Sequence, residues 1–247
     1  MKHIKWKIFF GASMIALSVT FYLIHYFIFR DANHIILYLI GDTAFVFIQV
    51  LLVTLIIDEV IALRQKRAML EKLNIIIGSF FSEVGKELLK SMSAFDPSSK
   101  RIGQDLVVTE RWTLREFVET SNRLKKYTYD IDIKRGDLDS LKQMLIKERT
   151  FLLRLLENQN LLEHDTFTNL LMAVFHLTEE LESRTDVRDL PQADMKHLAN
   201  DVKRVYTLLV SEWLDYMKHL QENYPYLFSF AMRTNPFDPG ASPEVRE

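Results

Sequence analysis

Hydrophobic residues fall into two regimes along this chain. Residues 8–29 and 35–57 are almost continuously apolar, with only Arg30, Asp31, Ala32, Asn33 and His34 between the two runs. Beyond them, apolar residues recur at helical spacing among charged ones. A helix rises about 1.5 Å per residue, so a run of about 22 residues spans about 33 Å, enough for a hydrocarbon core of about 30 Å. The short connection predicts two antiparallel transmembrane helices. Residues 1–7 are basic, which gives the start the outline of a signal peptide. The run is too long for that, however, and it closes on Tyr26, Phe27, Ile28 and Phe29 with no small-residue cleavage site. Lys2, Lys5 and Lys7 precede the runs, Arg64, Lys66, Arg67 and Lys72 follow them, and Arg30 alone lies between. The positive-inside rule therefore predicts both termini in the cytoplasm and residues 30–34 outside. Trp6, Tyr22, Tyr26 and Tyr38 are placed for the two membrane interfaces.

The second run carries a polar anomaly. Asp42 and Gln49 are seven residues apart and so share one helix face, with Thr43 and Thr54 nearby. An ionised Asp at the bilayer centre costs about 2.5–3.5 kcal/mol, so such residues face protein or water. Two readings follow. The stripe lines a path through an oligomer, or it holds helices together, with Asp42 bonded to His25 across the hairpin and Gln49 to a neighbouring helix. Gly11, Ala12, Ser13, Ala16 and Ser18 permit close packing of the first helix.

After residue 57 no proline interrupts the chain until Pro97. Leu63, Leu70, Ile77 and Val84 recur every seven residues, with Leu73 and Phe80 between. This spacing fits a seam between copies of the chain, an amphipathic helix on the membrane surface, or packing on the chain's own cytosolic domain. Residues 93–103 read as a linker, since Asp96-Pro97-Ser98-Ser99 has no apolar period. A capping box from Thr113 to Glu116, stapled by Trp112 and Phe117, opens a helix to about Lys126. Further helices are predicted from Asp137 or Ser140 to about Asn158, from Asp165 or Thr166 to about Ser183, and, after Pro191, over residues 194–222. Pro225 starts a short last helix over residues 226–232, and residues 235–247, with three prolines, read as a loose tail. The expected fold is all-α. The hairpin takes residues 1–63, a juxtamembrane helix and linker 64–103, an antiparallel bundle 104–235 and a flexible tail 236–247.

Composition removes several functions. The 247 residues include no cysteine, which excludes disulfides, thiolate metal sites and a cysteine nucleophile. A net charge of −2 gives no basic bias toward nucleic acid. Only 7 glycines and 6 prolines argue against an all-β fold, which needs many turns. Asp130, Asp132 and Gly136 outline a calcium loop, but Lys134 and Arg135 occupy positions that need an oxygen ligand and the turn glycine. Arg135-Gly136-Asp137 spells an adhesion tripeptide on the side predicted to be cytoplasmic. His176, Glu179 and Glu180 share a helix face and would need His164 or Glu163 to complete a metal site. His197 and His219 stand alone on the next helix and read as structural. No phosphate-binding glycine loop, nucleophile elbow or zinc-protease motif is present. The expectation is therefore a protein that is not an enzyme, with no cofactor and no metal.

Residues 158–182 (NQNLLEHDTFTNLLMAVFHLTEELE) and 213–237 (WLDYMKHLQENYPYLFSFAMRTNPF), together with the two-span start, resemble an uncharacterised family of small prokaryotic membrane proteins with a cytosolic helical domain. The resemblance implies a multi-pass protein of the prokaryotic cytoplasmic (inner) membrane and brings no activity with it. The expected function is a membrane-anchored interaction or assembly module whose partners are the lipid bilayer, further copies of the chain and a cytosolic protein, with no nucleic acid. The alternative is a homo-oligomeric channel or transport component lined by the second helix.

Overall fold

A computed structural model describes residues 2–158, 161 and 164–245; the side chains of residues 2–5, 32, 34, 66–68, 70 and 71 lie outside that description. The described chain is helical throughout, without strands. It divides into two units, Met1–Lys66 and Arg67–Glu247.

The first unit holds α1 (Lys2–Phe29) and most of α2 (Ala32–Phe80). Arg30 takes the left-handed conformation, φ 50°, and its N–H donates to the Tyr26 carbonyl at 2.8 Å, which closes α1. The Asp31 carboxylate then accepts from the Asn33 N–H at 2.9 Å and opens α2. The apolar windows within Trp6–Phe29 and Ile35–Gln65 have none of their residues buried by protein, and both helices are long enough to cross a membrane. The hydroxyls of Ser13, Thr20 and Thr43 donate to the carbonyls of Phe10, Ala16 and Leu39 in their own helix, at 2.8, 2.8 and 2.6 Å. Thr43 is thereby satisfied within α2 and needs no partner helix.

The second unit is built on its own core. The end of α2 runs through a π-helical turn (Phe81–Gly85) into α3 (Lys86–Ser93). Then come α4 (Ser99–Leu106), α5 (Leu114–Lys126), α6 (Leu138–Leu156), α7 (Asp165–Glu182), α8 (Gln192–Asn223) and α9 (Pro225–Arg233). α7 packs between α6 and α8, and α8 also receives α3, α5 and α9. The π turn brings the adjacent Phe80 and Phe81 both fully inside. The Phe80 ring meets Phe167 of α7 edge-on at 5.3 Å; Phe81 meets Trp213 of α8 at 5.3 Å and stacks on Tyr216 at 4.9 Å. Gly85 closes the turn under these rings, where a Cβ would lie 2.6 Å from Phe81.

Three expectations change. Of the three readings of the heptad spacing, Ile77 and Val84 follow packing on the chain's own domain, both being buried in its core; Leu63 is exposed, and the Leu70 side chain is outside the described set. The juxtamembrane stretch is thus part of the bundle, which begins near the Lys66/Arg67 boundary instead of at residue 104. The presumed linker contains α4, with Ile102, Gly103 and Leu106 buried beside Phe95 and Asp96. Over residues 235–245 the tail is folded: Asn235 Nδ2 donates to the Leu106 carbonyl at 2.8 Å, Phe237 sits on Gly103, and the Ser242 N–H donates to the Arg233 carbonyl at 2.8 Å. The capping box forms as expected, with the Thr113 N–H donating to Glu116 Oε2 at 2.5 Å and Trp112 edge-on to Phe117 at 5.0 Å. Asp137 caps α6. His164, one residue earlier than expected, caps α7 by accepting from the Phe167 N–H at 3.3 Å.

Candidate functional site

In the first unit α1 and α2 enclose a cleft of about 630 Å³. Ser18, Tyr22 and His25 line it from α1, Tyr38 and Asp42 from α2. The expected hairpin pair His25 and Asp42 therefore opens onto one space. Gln49, two turns further along α2, is exposed and does not line it. Asp42 thus borders the cleft, and Gln49, on the same face of α2 two turns further along, lies beyond it.

In the second unit the charged chemistry gathers where α7 meets α8. His176 and Glu180 are one turn apart on α7, and His197 and Asp201 one turn apart on α8. His176 Nε2 lies 3.7 Å from Asp201 Oδ2 and 3.9 Å from Glu180 Oε1. His197 Nε2 lies 3.3 Å from Asp201 Oδ2 and 3.5 Å from Glu180 Oε2. Asp201 is only 3 % exposed, and its Oδ2 has no hydrogen-bond partner. Arg184 braces the group. It donates to Glu180 Oε2 at 2.7 Å and grips both Asp194 oxygens, at 2.6 and 2.8 Å. These bonds hold the Glu180 and Asp194 carboxyls below the usual carboxylate range. Arg204 stands 3.5 Å from Asp201 Oδ1.

This cluster differs from the one the sequence suggested. Glu179 is exposed, His164 is spent on capping α7, and Glu163 lies outside the described residues. His197, read as isolated, joins His176 at Asp201 and Glu180. The available signal was a repeated spacing: His176-x-x-x-Glu180 and His197-x-x-x-Asp201 each place an imidazole and a carboxylate on one face of consecutive helices.

Two buried acids lie elsewhere. Burial pushes the Glu212 carboxyl of α8 up, opposed by a hydrogen bond from Thr166 and by His164. Burial likewise raises Asp96, which shares its surroundings with Tyr127, Tyr129 and Tyr206. Asp96 Oδ1 accepts from the Ser98 N–H at 2.8 Å. Asp96 Oδ2 and the Tyr206 hydroxyl are buried without a hydrogen-bond partner.

Residues 69–233 match the family described as uncharacterized protein MJ1433, C-terminal helical domain, and residues 1–61 match MJ1433, N-terminal helical domain. This chain belongs to the MJ1433 family. The uncharacterized protein MJ1433 of Methanocaldococcus jannaschii is 47% identical over 225 residues, which cover 91% of this chain and 90% of that protein. The two MJ1433 domains meet between residues 61 and 69, where the two structural units also divide. No solved structure matches the chain.

Proposed function

We propose that this MJ1433-family chain is a membrane-anchored helical module that serves binding and assembly, not catalysis, with its bundle on the cytoplasmic face of a prokaryotic membrane. The observation that carries this reading is the contrast between the units. The apolar helices of the first have no buried residue in their membrane-length windows, whereas the second buries its own aromatic and aliphatic core. An apolar surface of that size is stable only against lipid or other protein. The lysine and arginine distribution sets the orientation, with the Arg30 turn outside.

The absence of cysteine makes the test direct. Asn33→Cys and Lys100→Cys variants are each exposed to a membrane-impermeant thiol reagent in intact cells. Asn33→Cys should label in intact cells, and Lys100→Cys only after the membrane is opened. Labelling of both from outside, or recovery of the protein without detergent, overturns the anchor. Native mass spectrometry in nanodiscs then addresses function. A monomer, dimer or complex with a cytosolic protein accords with a binding module. A closed ring of several copies, with flux altered by Asp42→Asn, replaces it with a channel lined by α2.

A further inference from the structure

The four groups at the α7–α8 contact have the composition of a coordination shell and stand close to its spacing. Two imidazoles and two carboxylates are the nitrogen and oxygen donors that divalent transition metals take, and two carboxylates neutralise a doubly charged ion. A tetrahedral ion with bonds of about 2.0–2.2 Å sets its donors about 3.4 Å apart. Going round the group, the separations are 3.7 Å (His176 Nε2–Asp201 Oδ2), 3.3 Å (Asp201 Oδ2–His197 Nε2), 3.5 Å (His197 Nε2–Glu180 Oε2) and 3.9 Å (Glu180 Oε1–His176 Nε2), so Glu180 meets the two imidazoles through different oxygens, of which Oε2 also accepts from Arg184 at 2.7 Å. No stronger bond holds any of these four contacts together. Asp201 Oδ2, almost wholly buried and without a hydrogen bond, points between both Nε2 atoms. A buried carboxylate oxygen left in that state is costly unless a cation completes it.

We propose that His176, Glu180, His197 and Asp201 bind one divalent transition-metal ion, Zn2+ by donor set and geometry, which clasps α7 to α8. The donors as they stand are not gathered tightly enough around one point to hold an ion. Closing the shell takes rotation of the two imidazoles. Their side chains are 44 % and 49 % exposed and have room to turn, while the buried Asp201 stays fixed. Each carboxylate has an arginine at hand to orient it from outside the shell: Arg184 on Glu180 and Arg204 near Asp201. With four protein ligands no position is left for a substrate, so the ion is structural. It joins the two helices across the loop between them, and it needs no partner chain.

The full-length protein, purified in detergent without a polyhistidine tag and stripped with a chelator, is titrated with Co2+ and then Zn2+. The expected result is one Co2+ per chain with the intense visible absorption of a tetrahedral site, displaced by one equivalent of Zn2+, and an upward shift of the thermal transition. Loss of an outer-shell partner typically weakens a metal site by about 10–100-fold, so His197→Gln, which removes a ligand, should weaken Zn2+ binding at least tenfold. His176→Gln should act alike, and His219→Gln should change nothing. A weak octahedral spectrum or no binding in the wild-type protein overturns the site. So does binding that persists unchanged in His176→Gln/His197→Gln. Should that double variant fail to fold, the wild-type spectrum and the half-exposed single substitution decide.

Discussion

At Gly136 a Cβ would lie 2.5 Å from the Phe95 ring, itself fully buried, while the Asp132 N–H donates to the Phe95 carbonyl at 2.9 Å. The loop before α6 is thereby pressed onto the turn after α3, and the ring has nowhere to retreat. Gly136→Ala should destabilise the bundle by about 1–3 kcal/mol, the usual cost of overpacking, seen as a lower thermal midpoint with unchanged helix content. In the sequence this glycine drew notice as part of a calcium loop and an adhesion tripeptide. Its actual constraint comes from Phe95, forty-one residues earlier, which no local pattern encodes. Glu212 offers a second prediction. Its unperturbed value is 4.5, and burial raises it in the folded state. The folded protein therefore holds this proton to higher pH than the unfolded chain does. Stability falls as pH rises across that window and levels off above the folded value. Glu212→Gln keeps an acceptor for Thr166 and removes the charge. It should melt higher than wild type at about pH 8, with the gap closing toward acid. A variant no more stable than wild type at the higher pH would show that Glu212 is ionised without penalty.

Among the elements, those defined within one turn were legible and those defined by distant partners were not. The capping box at Thr113 and Glu116 needs residues only three apart, so its pattern and its hydrogen bonds agree. The π turn needs Phe80 and Phe81 to find Phe167, Trp213 and Tyr216, all far along the chain. The spacing of Ile77 and Val84 is the same whether the apolar stripe meets its own bundle or a second copy, and only the core shows which. The C-terminal segment was misread because anchoring there depends on one polar residue, not on periodicity. Asn235 Nδ2 donates to the Leu106 carbonyl, and its Oδ1 accepts from the Phe237 N–H at 3.0 Å. Asn235→Ala removes two hydrogen bonds at once, the donor to the Leu106 carbonyl, which keeps the Val108 N–H at 3.0 Å, and the acceptor of the Phe237 N–H, at about 0.5–1.5 kcal/mol each. The segment after residue 235 should then detach from α4 and become cleavable by added protease while the rest resists. Equal protease resistance in both proteins would mean Phe237 alone is a sufficient anchor.

For the whole molecule the placing of the division between units has a consequence that two fragments can test. A bundle starting at residue 104, as periodicity proposed, omits Leu73, Phe80, Phe81, Leu88, Leu89 and Met92, each 1 % exposed or less. Each such side chain contributes about 1.5–3 kcal/mol of burial, so six together outweigh a net domain stability of about 5–15 kcal/mol in most of that range. Residues 67–247 keep all six and leave behind the exposed apolar helices of the first unit. That fragment should be soluble without detergent and unfold in one cooperative transition, with the fluorescence of Trp112 and Trp213 and the far-ultraviolet circular dichroism losing signal together. Residues 104–247 strip Phe81 from the Trp213 and Tyr216 rings and should show no cooperative transition or should aggregate. If the shorter fragment unfolds cooperatively near the midpoint of the longer one, the π turn and α3 only cover a bundle that is complete without them. If the longer fragment needs detergent, the second unit carries apolar surface that depends on the first, and the family's two helical domains are one folding unit.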